Sequence, residues 1–288
     1  MENFLRSIYQ QHASDLKTLG ILVLERTKPN SHITDNFDVI LLIIVQDADS
    51  KWCAKHYEFA NKTCALHIVD ERLLMKWIDT SGYRSAVEWI IYGKILFDRN
   101  EFVFNLKEQL HDFPDKKRDL RKAIEFGKLV KSYNEAKELF EMQQYMDANS
   151  KILYSLHYLA RLAVIEKGHY PEVTVWSQIK QIDVEVYKLY EEFIESKEAL
   201  KKRIQLMLLA MDYIIKKRAE VSVKHLLDVM GIEYAWSYAK LKARPEIQPY
   251  SLDLSAIIAY LVEKRIVYSV KEATKGEGVY HRKYKLKK

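Results

Sequence analysis

The amino-acid sequence predicts an α+β protein of three successive parts: a mixed-sheet α/β domain, a helical bundle, and a small domain of two helices and a hairpin. Three observations predict this. β-rich runs alternate with helical patterns up to residue 112, apolar residues recur at helical spacing from about residue 117 to 218, and two β-rich arms flank a glycine-containing turn at the end. A chain of 288 residues has room for two or three domains. We expect domains at 1–112, 113–218 and 219–288.

The first domain is predicted from three β-rich runs, ILVLE at 21–25, DVILLIIV at 38–45 and ALHIV at 65–69. The middle run is apolar from Val39 to Val45, which is typical of a strand that is buried on both faces. Helical patterns such as ERLLMKWI lie between and after these runs, which indicates a mixed α/β layer. The run HDFPDKKRD ends the domain, because Pro114 disfavours the helical conformation for Phe113.

The second domain carries two stripes of apolar residues at helical spacing, which predict helices that bury one face. A break at GHYPEV, around Pro171, separates consecutive helices, and short connections favour a bundle. The stripes comprise Ile152, Leu156, Leu159, Ala160, Ala163 and Val164, and then Ile204, Met207, Leu208, Met211, Ile214 and Ile215.

The third domain begins with SVKHLLDVMGI, where Ser222 is a candidate N-cap and Gly231 a candidate helix stop. A second helix, LDLSAIIAYLVEKR, is followed by IVYSVKEA, the turn TKGEG and VYHRKYKLKK, which predict a hairpin. The order helix, helix, hairpin is that of a winged helix-turn-helix.

No window approaches the roughly 18 to 20 apolar residues that are needed to cross a bilayer. The N-terminal stretch MENFLRSIYQQHASD also lacks a basic region followed by an apolar one. We therefore expect a cytoplasmic protein without a membrane partner. Cys53 and Cys64 have no metal-ligand spacing around them and are expected to be reduced thiols.

The positive charge of the chain is concentrated at its end. The formal net charge is +6, while residues 264–288 carry nine Lys and Arg against Glu272 and Glu277, a surplus of +7. Such a block is typical of a surface that contacts phosphate, although basic tails can also serve solubility.

The segment DNFDV places Asn36 and Asp38 directly before the apolar strand. Because strand side chains alternate between faces, we expect the side chains of Asn36 and Asp38 to point to the same side. Nucleotidyl transfer uses two or three carboxylates that converge on Mg²⁺ ions, and acids two positions apart at a strand edge are one way to supply them.

The first domain resembles the nucleotidyltransferase superfamily of the polymerase-β type, particularly its small MNT and kanamycin-nucleotidyltransferase-like branch. The family pattern is a Gly-Ser-Arg turn, then about a dozen residues that end in Ser-Asp-hydrophobic-Asp. Leu24 and Glu25 occupy the Gly-Ser positions, and Arg26 matches the arginine. Asn36 occupies the position of the first aspartate and Asp38 that of the second. The resemblance implies that Asp38 is a metal ligand, and that Glu25 and Arg26 lie at the nucleotide-binding turn.

Two later segments extend this resemblance. LHIVDERLL resembles the strand that carries the third acid, with His67 in the position of that acid, and YGKILFDRN resembles the segment that closes the domain. One of three metal carboxylates is therefore retained, and a single carboxylate would hold Mg²⁺ only weakly. An alternative is a different site of Glu25, Asp38, His67 and Asp70 that prefers Mn²⁺ or Zn²⁺, since imidazole suits these metals.

The last segment, LVEKRIVYSVKEATKGEGVYHRKYKL, resembles the recognition helix and wing of the winged-helix family. Tyr280 and Tyr284 share a strand face with Arg282 between them, and could stack on bases or pack on the helices. The helix at 252–264 is poor in the Arg, Asn and Gln that recognise base edges, so DNA or RNA backbone contact is expected. A plain protein-interaction role is the alternative. The basic residues expected to meet phosphates are Lys271, Lys275, Arg282, Lys283 and Lys285.

The helical bundle resembles the HEPN family, some of whose members are ribonucleases with an Arg and a His four to six residues apart. The nearest match here is Arg161 and His169, which seven residues separate. The alternative interpretation is an exposed arginine and a loop histidine.

These features lead to one functional hypothesis and two alternatives. The first is a nucleotidyltransferase-like protein with a degenerate metal site that binds a nucleotide or nucleic acid as a regulatory module. The second is an active transferase of NMP to a small molecule, RNA or protein, with Asp38 as metal ligand and Glu25 or His67 as replacements. The third is a DNA-binding transcriptional regulator, for which binding should depend steeply on salt.

Overall fold

The computed structural model describes residues 2–26, 32–80, 83–113 and 115–286. The chain divides into a first unit, Met1–Pro114, and a second unit, Asp115–Lys288. The predicted α+β class is confirmed, because a mixed sheet occupies the first unit and helices dominate the second.

The first unit is built on a five-stranded mixed sheet in the order β3-β4-β2-β1-β5. β2 and β4 are parallel, and the other neighbouring pairs are antiparallel. The central strand β2 is buried along its whole length, as its unbroken apolar run predicts. The strands are β1 Thr18–Glu25, β2 Val39–Val45, β3 Trp52–Phe59, β4 Lys62–Asp70 and β5 Lys94–Asp98.

Four helices accompany the sheet. Leu5 of the first helix packs with Ile21, Val39 and Leu66 on one face of the sheet. The predicted helix ERLLMKWI follows β4 directly, and the last helix ends one residue before Phe113, whose φ of 29° is not helical. The helices are α1 Glu2–Ala13, α2 Glu71–Thr80, α3 Arg84–Tyr92 and α4 Phe102–Asp112.

The strand β3 was not predicted from the sequence. It lies at the edge of the sheet, and most of its side chains are exposed. A strand with little apolar burial on either face has no strong alternation, so its pattern resembles that of a loop.

The second unit begins with the predicted bundle. Every member of the stripe on α6 is buried, and so are five of the six on α9, the exception being the half-buried Ile214. The break around Pro171 lies between α6 and α7, as predicted. The helices are α5 Asp115–Glu141, α6 Tyr145–Glu166, α7 Val175–Ile182, α8 Val184–Glu195 and α9 Leu200–Ser222.

The remaining elements of the second unit have the order of a winged helix, with a three-stranded sheet β6-β8-β7. The predicted N-cap at Ser222 was wrong, because Ser222 is the last residue of α9, where it is fully buried. A short strand and two short helical segments lie between the two predicted helices. The elements are α10 Lys224–Met230, β6 Trp236–Ser237, α11 Tyr238–Lys242, the 3-10 helix Pro245–Tyr250, α12 Leu254–Glu263, β7 Val267–Ala273 and β8 Tyr280–Leu286.

The bundle and the winged helix share one continuous hydrophobic core. α12 packs on α5 at Gly127, where an added Cβ would lie 3.0 Å from Ile257 Cδ1. Nearby, the rings of Phe126 and Tyr260 have centroids 5.9 Å apart. Among the described residues, no helix is both long and apolar enough to span a lipid bilayer.

Candidate nucleotide site and nucleic-acid interface

The segment DNFDV enters β2 through a turn. Asp35 and Asn36 have φ values of 46° and 72°, a left-handed conformation that Asp and Asn tolerate better than most residues. Tyr83 Oη donates a hydrogen bond of 3.0 Å to Asp35 Oδ2, which holds the turn in place. The expectation that Asn36 and Asp38 share one side of a strand was wrong, because strand alternation does not extend through a left-handed turn.

The Asp38 carboxylate holds three chain segments together. Its Oδ2 accepts hydrogen bonds from Thr63 N (2.8 Å) and Thr63 Oγ1 (3.1 Å), and its Oδ1 lies 3.6 Å from Arg26 Nη1. The hydrogen bonds from Thr63, followed by the charge of Arg26, lower the pKa of Asp38. Arg26 N also donates to the Asp38 carbonyl at 2.8 Å. Asp38 therefore joins the end of β1, the start of β2 and the start of β4.

His67 is buried within the first unit. Its Nδ1 accepts a hydrogen bond of 3.2 Å from Trp52 Nε1, and its ring lies 4.7 Å from that of Trp89. Burial lowers the pKa of His67, so the imidazole is neutral at pH 7 with its proton on Nε2. Thr63, which donates to Asp38, and His67 lie four residues apart on β4, so their Cα atoms are about 13 Å apart. The side chain in the position of the third family acid thus lies far from the one retained aspartate.

The structure also separates the other members of the alternative metal site. Glu25 lies opposite Val39, the residue that follows Asp38, at the start of β2. Asp70 Oδ1 accepts from Arg72 N at 3.0 Å at the start of α2, at the far end of β4 from Thr63. Among the residues that the structure describes, no three His, Cys, Asp or Glu side chains lie close enough together to hold a metal ion.

A cavity of about 430 Å³ opens at the end of β1. Glu25 and Lys94 give it one acidic and one basic side chain, while most of its other lining is apolar. Thr34 is only 2% exposed, and its Oγ1 has no hydrogen-bond partner among the described residues. The described residues that line it are Val23, Leu24, Glu25, Ile33, Thr34, Tyr92 and Lys94.

Arg161 in the bundle is buried, so the interpretation as an exposed arginine was wrong. Its Nε and Nη2 donate to Glu125 Oε1 at 3.1 and 3.0 Å, and both side chains are at most 1% exposed. Burial alone would raise the pKa of Glu125, but the Arg161 guanidinium, followed by the charges of Lys128 and Arg121, lowers it to about 2. His169 is exposed in the loop after α6. The structure does not bring Arg161 and His169 together, which removes the basis of a ribonuclease site of these two residues.

The hairpin of β7 and β8, here called the wing, has two different faces. Lys271 lies opposite Arg282, and Tyr280 and Tyr284 lie on the same face of β8 as Arg282. The Lys271 ammonium lies 5.4 Å from the Tyr280 ring centroid, and the Arg282 guanidinium is 5.4 Å from that of Tyr284. We call this the stacking face, composed of Lys271, Tyr280, Arg282 and Tyr284.

The other two basic residues of β8 lie on the opposite face, and both have polar partners. Lys283 Nζ forms an ion pair of 2.6 Å with Glu272, and Lys285 Nζ donates to Tyr234 Oη at 3.1 Å. Lys275 lies exposed in the turn between the strands. Within the described part of the chain, Lys271, Lys275 and Arg282 form no ion pair.

Sequence reasoning missed three side chains that define these sites. Thr63 holds Asp38, while Thr34 and Lys94 line the cavity. A threonine in a strand has no distinguishing pattern, because its hydroxyl acts only through a partner that the fold supplies. Lys94 lies in the segment that resembles the closing strand, but nothing in that segment marks it as part of a cavity.

Three family models match consecutive parts of the chain. A model described as nucleotidyltransferase-like matches residues 1–118, and one described as a YgxA-like substrate binding domain matches residues 119–218. A helix-turn-helix domain model matches residues 224–286.

Two relatives are similar over almost the whole length. The uncharacterized protein YgxA of Bacillus subtilis (strain 168) is 43% identical over 288 residues, which cover 100% of this chain and 98% of the relative. The crystal structure of a nucleotidyltransferase-like protein from Exiguobacterium sibiricum 255-15 has a TM-score of 0.83 and 35% sequence identity, and 99% of each chain is covered.

Proposed function

The chain belongs to the family of nucleotidyltransferase-like proteins that includes YgxA, and from this premise we propose that its first unit binds a nucleoside or nucleotide without transferring it. The observation that carries the proposal is the state of Asp38. Both carboxylate oxygens already have protein partners, Thr63 and Arg26. Catalysis by two metal ions needs several carboxylates that face one site.

The side chains around Asp38 do not fit a catalytic pair of Mg²⁺ ions. Asn36 is neutral, and His67 lies about 13 Å along β4 from Thr63, the residue that holds Asp38. Asp38 alone would bind Mg²⁺ weakly. We therefore propose that ligand binding does not require a metal. The alternative of an active transferase predicts the opposite, namely binding that depends on Mg²⁺ or Mn²⁺ and on Asp38.

The cavity beside Glu25 supports a nucleoside-sized ligand. Its volume of about 430 Å³ lies in the range of small-molecule pockets, which is roughly 300–1,000 Å³. Its apolar wall can accept a base, and Glu25 can accept hydrogen bonds from ribose hydroxyls, as an acidic residue does in dinucleotide-binding folds. Lys94 can contact one phosphate group. Leu24 and Glu25 supply neither the glycine nor the hydroxyl that would bind a triphosphate, and the Glu25 charge would repel it.

Calorimetric titration tests this proposal. Nucleosides, NMPs and NTPs would be titrated into the full chain in EDTA, and then with Mg²⁺ or Mn²⁺. We expect metal-independent binding in which a nucleoside or NMP binds at least as tightly as the NTP. Glu25→Gln should weaken binding, while the matched control Glu58→Gln, at an exposed position of β3, should leave it unchanged.

Asp38→Asn separates the proposal from the active transferase. The proposal predicts that folded Asp38→Asn binds the ligand with unchanged affinity. Binding that needs Mg²⁺ and disappears in this variant would favour transfer, which an assay for labelled NMP incorporation would then detect. No binding of any nucleoside or nucleotide would refute the proposal for the first unit.

A second proposed function, contact with nucleic acid through the second unit, is favoured by the wing. Lys271, Lys275 and Arg282 are exposed and without ion pairs in the part of the chain described, so their charges are available to phosphates. A nucleic-acid affinity that does not change with salt would refute this function.

A further inference from the structure

We propose that the winged helix binds a single strand of nucleic acid along the stacking face of its wing, and that it does not recognise a duplex with α12. This proposal rests on the nucleic-acid contact proposed above, and specifies both the form of the ligand and the surface that binds it.

The position of α12 argues against duplex recognition. In winged and other helix-turn-helix proteins, the helix at this position enters the major groove. Here α5 covers one side of it, with Gly127 directly against Ile257 and with Phe126 against Tyr260. An ion pair of 3.3 Å between Lys131 and Asp253 supports the same contact at the start of α12. The face of α12 that carries Ile257 and Tyr260 is therefore unavailable to a groove.

The exposed remainder of α12 has little capacity to recognise bases or to contact phosphates. Its exposed residues are Ser255, Ala259 and Glu263. None is an Arg, Asn or Gln that could form paired hydrogen bonds with a base edge, and the Glu263 carboxylate repels phosphate. Lys264, which follows the helix, lies 3.2 Å from both Asp212 and Glu263. Its charge is thus already partnered.

The stacking face has the two features that bind unpaired nucleotides. Tyr280 is 53% exposed, so its ring is available for stacking on a base, whereas the partly exposed Tyr284 packs against the core. Lys271 and Arg282 lie on the same face, where they can contact the phosphates of that strand. Bases paired within a duplex cannot stack on side chains in this way.

The opposite face of the wing provides a matched control. Lys283 is paired with Glu272, and Lys285 with the Tyr234 hydroxyl. Two double variants remove the same charge from the same hairpin. The first is Lys271→Gln with Arg282→Gln, and the second is Lys283→Gln with Lys285→Gln. If the wing bound nucleic acid only through its net charge, the two double variants would weaken the affinity equally. If the strand lies along the stacking face, the first double variant should weaken it more.

The experiment measures the affinity of the full chain for labelled oligothymidine, oligouridine and a duplex of equal length, over a series of salt concentrations. We expect both single strands to bind more tightly than the duplex, and their ratio distinguishes DNA from RNA. Lys271→Gln with Arg282→Gln should lower the salt slope by about 1.4, from two lost phosphate contacts. The control, Lys283→Gln with Lys285→Gln, should change the salt slope little. Tyr280→Leu should weaken single-strand binding roughly tenfold without changing the slope.

Three results would overturn the proposal. Duplex binding as tight as single-strand binding would show that the ligand form is wrong, while leaving the proposed contact with nucleic acid intact. Equal weakening by the two double variants would refute the assignment of the face. If no nucleic acid bound at all, the contact proposed for the second unit would also fail. Nucleotide binding by the first unit is measured separately and would not be affected. Melting temperatures of the variants establish that each one is folded.

Discussion

Substitution of Arg161 by Met tests the buried ion pair that the structure places in the bundle. Arg161 and Glu125 are 1% and 0% exposed as side chains, and Glu125 Oε2 has no hydrogen-bond partner in the part of the chain that the structure describes. Methionine fills a similar volume but leaves the buried Glu125 carboxylate without its principal counter-charge.

The expected loss of stability follows from the burial of the pair. Breaking a buried ion pair by removing one partner costs about 3–5 kcal/mol. Because Glu125 can take up a proton when Arg161 is absent, the lower end of the range applies. We expect a loss of about 3 kcal/mol at pH 7 in the second unit.

Amide hydrogen exchange in a urea series, followed in peptides from α5 and α6, measures this loss without contribution from the first unit. With a urea dependence of about 2 kcal/mol per molar, the unfolding midpoint should fall by about 1.5 M. Lys202→Met is the matched control, since Lys202 and Glu198 form an exposed pair on α9 and its neighbouring loop, and should change stability by less than about 0.5 kcal/mol.

The double variant Glu125→Leu with Arg161→Met removes both charges and should recover most of the stability, because replacing a buried pair with apolar residues is often neutral. A loss of less than about 1 kcal/mol for Arg161→Met alone would mean that the guanidinium is hydrated in solution. The same result would mean that Arg161 is accessible, so that a ribonuclease site with His169 would have to be tested.

Three further outcomes are expected. Burial lowers the pKa of folded His67 below the unfolded value of 6.5, so this group stabilises the fold above pH 6.5 and less as the pH falls. His67→Gln should reduce the loss of stability between about pH 7.5 and 5.5, and an unchanged pH profile would contradict this. Gly127→Leu should destabilise the second unit by about 1–3 kcal/mol, despite the better helix propensity of leucine, because the larger side chain clashes with α12 where it packs on α5. Faster amide hydrogen exchange in α12 would measure this effect. A stabilised variant would show that the two helices separate in solution. Asn36→Asp should not create a Mn²⁺ site, since residue 36 lies in a left-handed turn. Calorimetric titration of this variant with Mn²⁺ tests the prediction, and a micromolar affinity would refute it.

Much of the fold was predictable because its signals are local. The apolar run of β2 and the stripes on α6 and α9 gave the correct elements, since side-chain periodicity follows backbone geometry. The hairpin was predictable for the same reason, because two β-rich arms flank its glycine-containing turn. The edge strand β3 was missed, since partial exposure on both faces weakens the periodic signal.

The candidate site was less predictable than the fold. The position of Asp38 before a buried strand was evident, but its partner Thr63 lies 25 residues further along the chain. The conformation of Asn36 was also hidden, because the turn depends on a hydrogen bond between Asp35 and Tyr83, which are 48 residues apart.

The sequence by itself determined the fold class, the buried strand β2, the helices of the bundle, the terminal hairpin and the concentration of positive charge in the last segment. Each is a property of neighbouring residues or of composition. Only the tertiary structure decided that Asp38 is held by Thr63, that Arg161 is buried against Glu125 and that α5 covers α12. These contacts join residues that are distant in the chain, and their energies depend on burial and geometry, which exist only once the chain has folded.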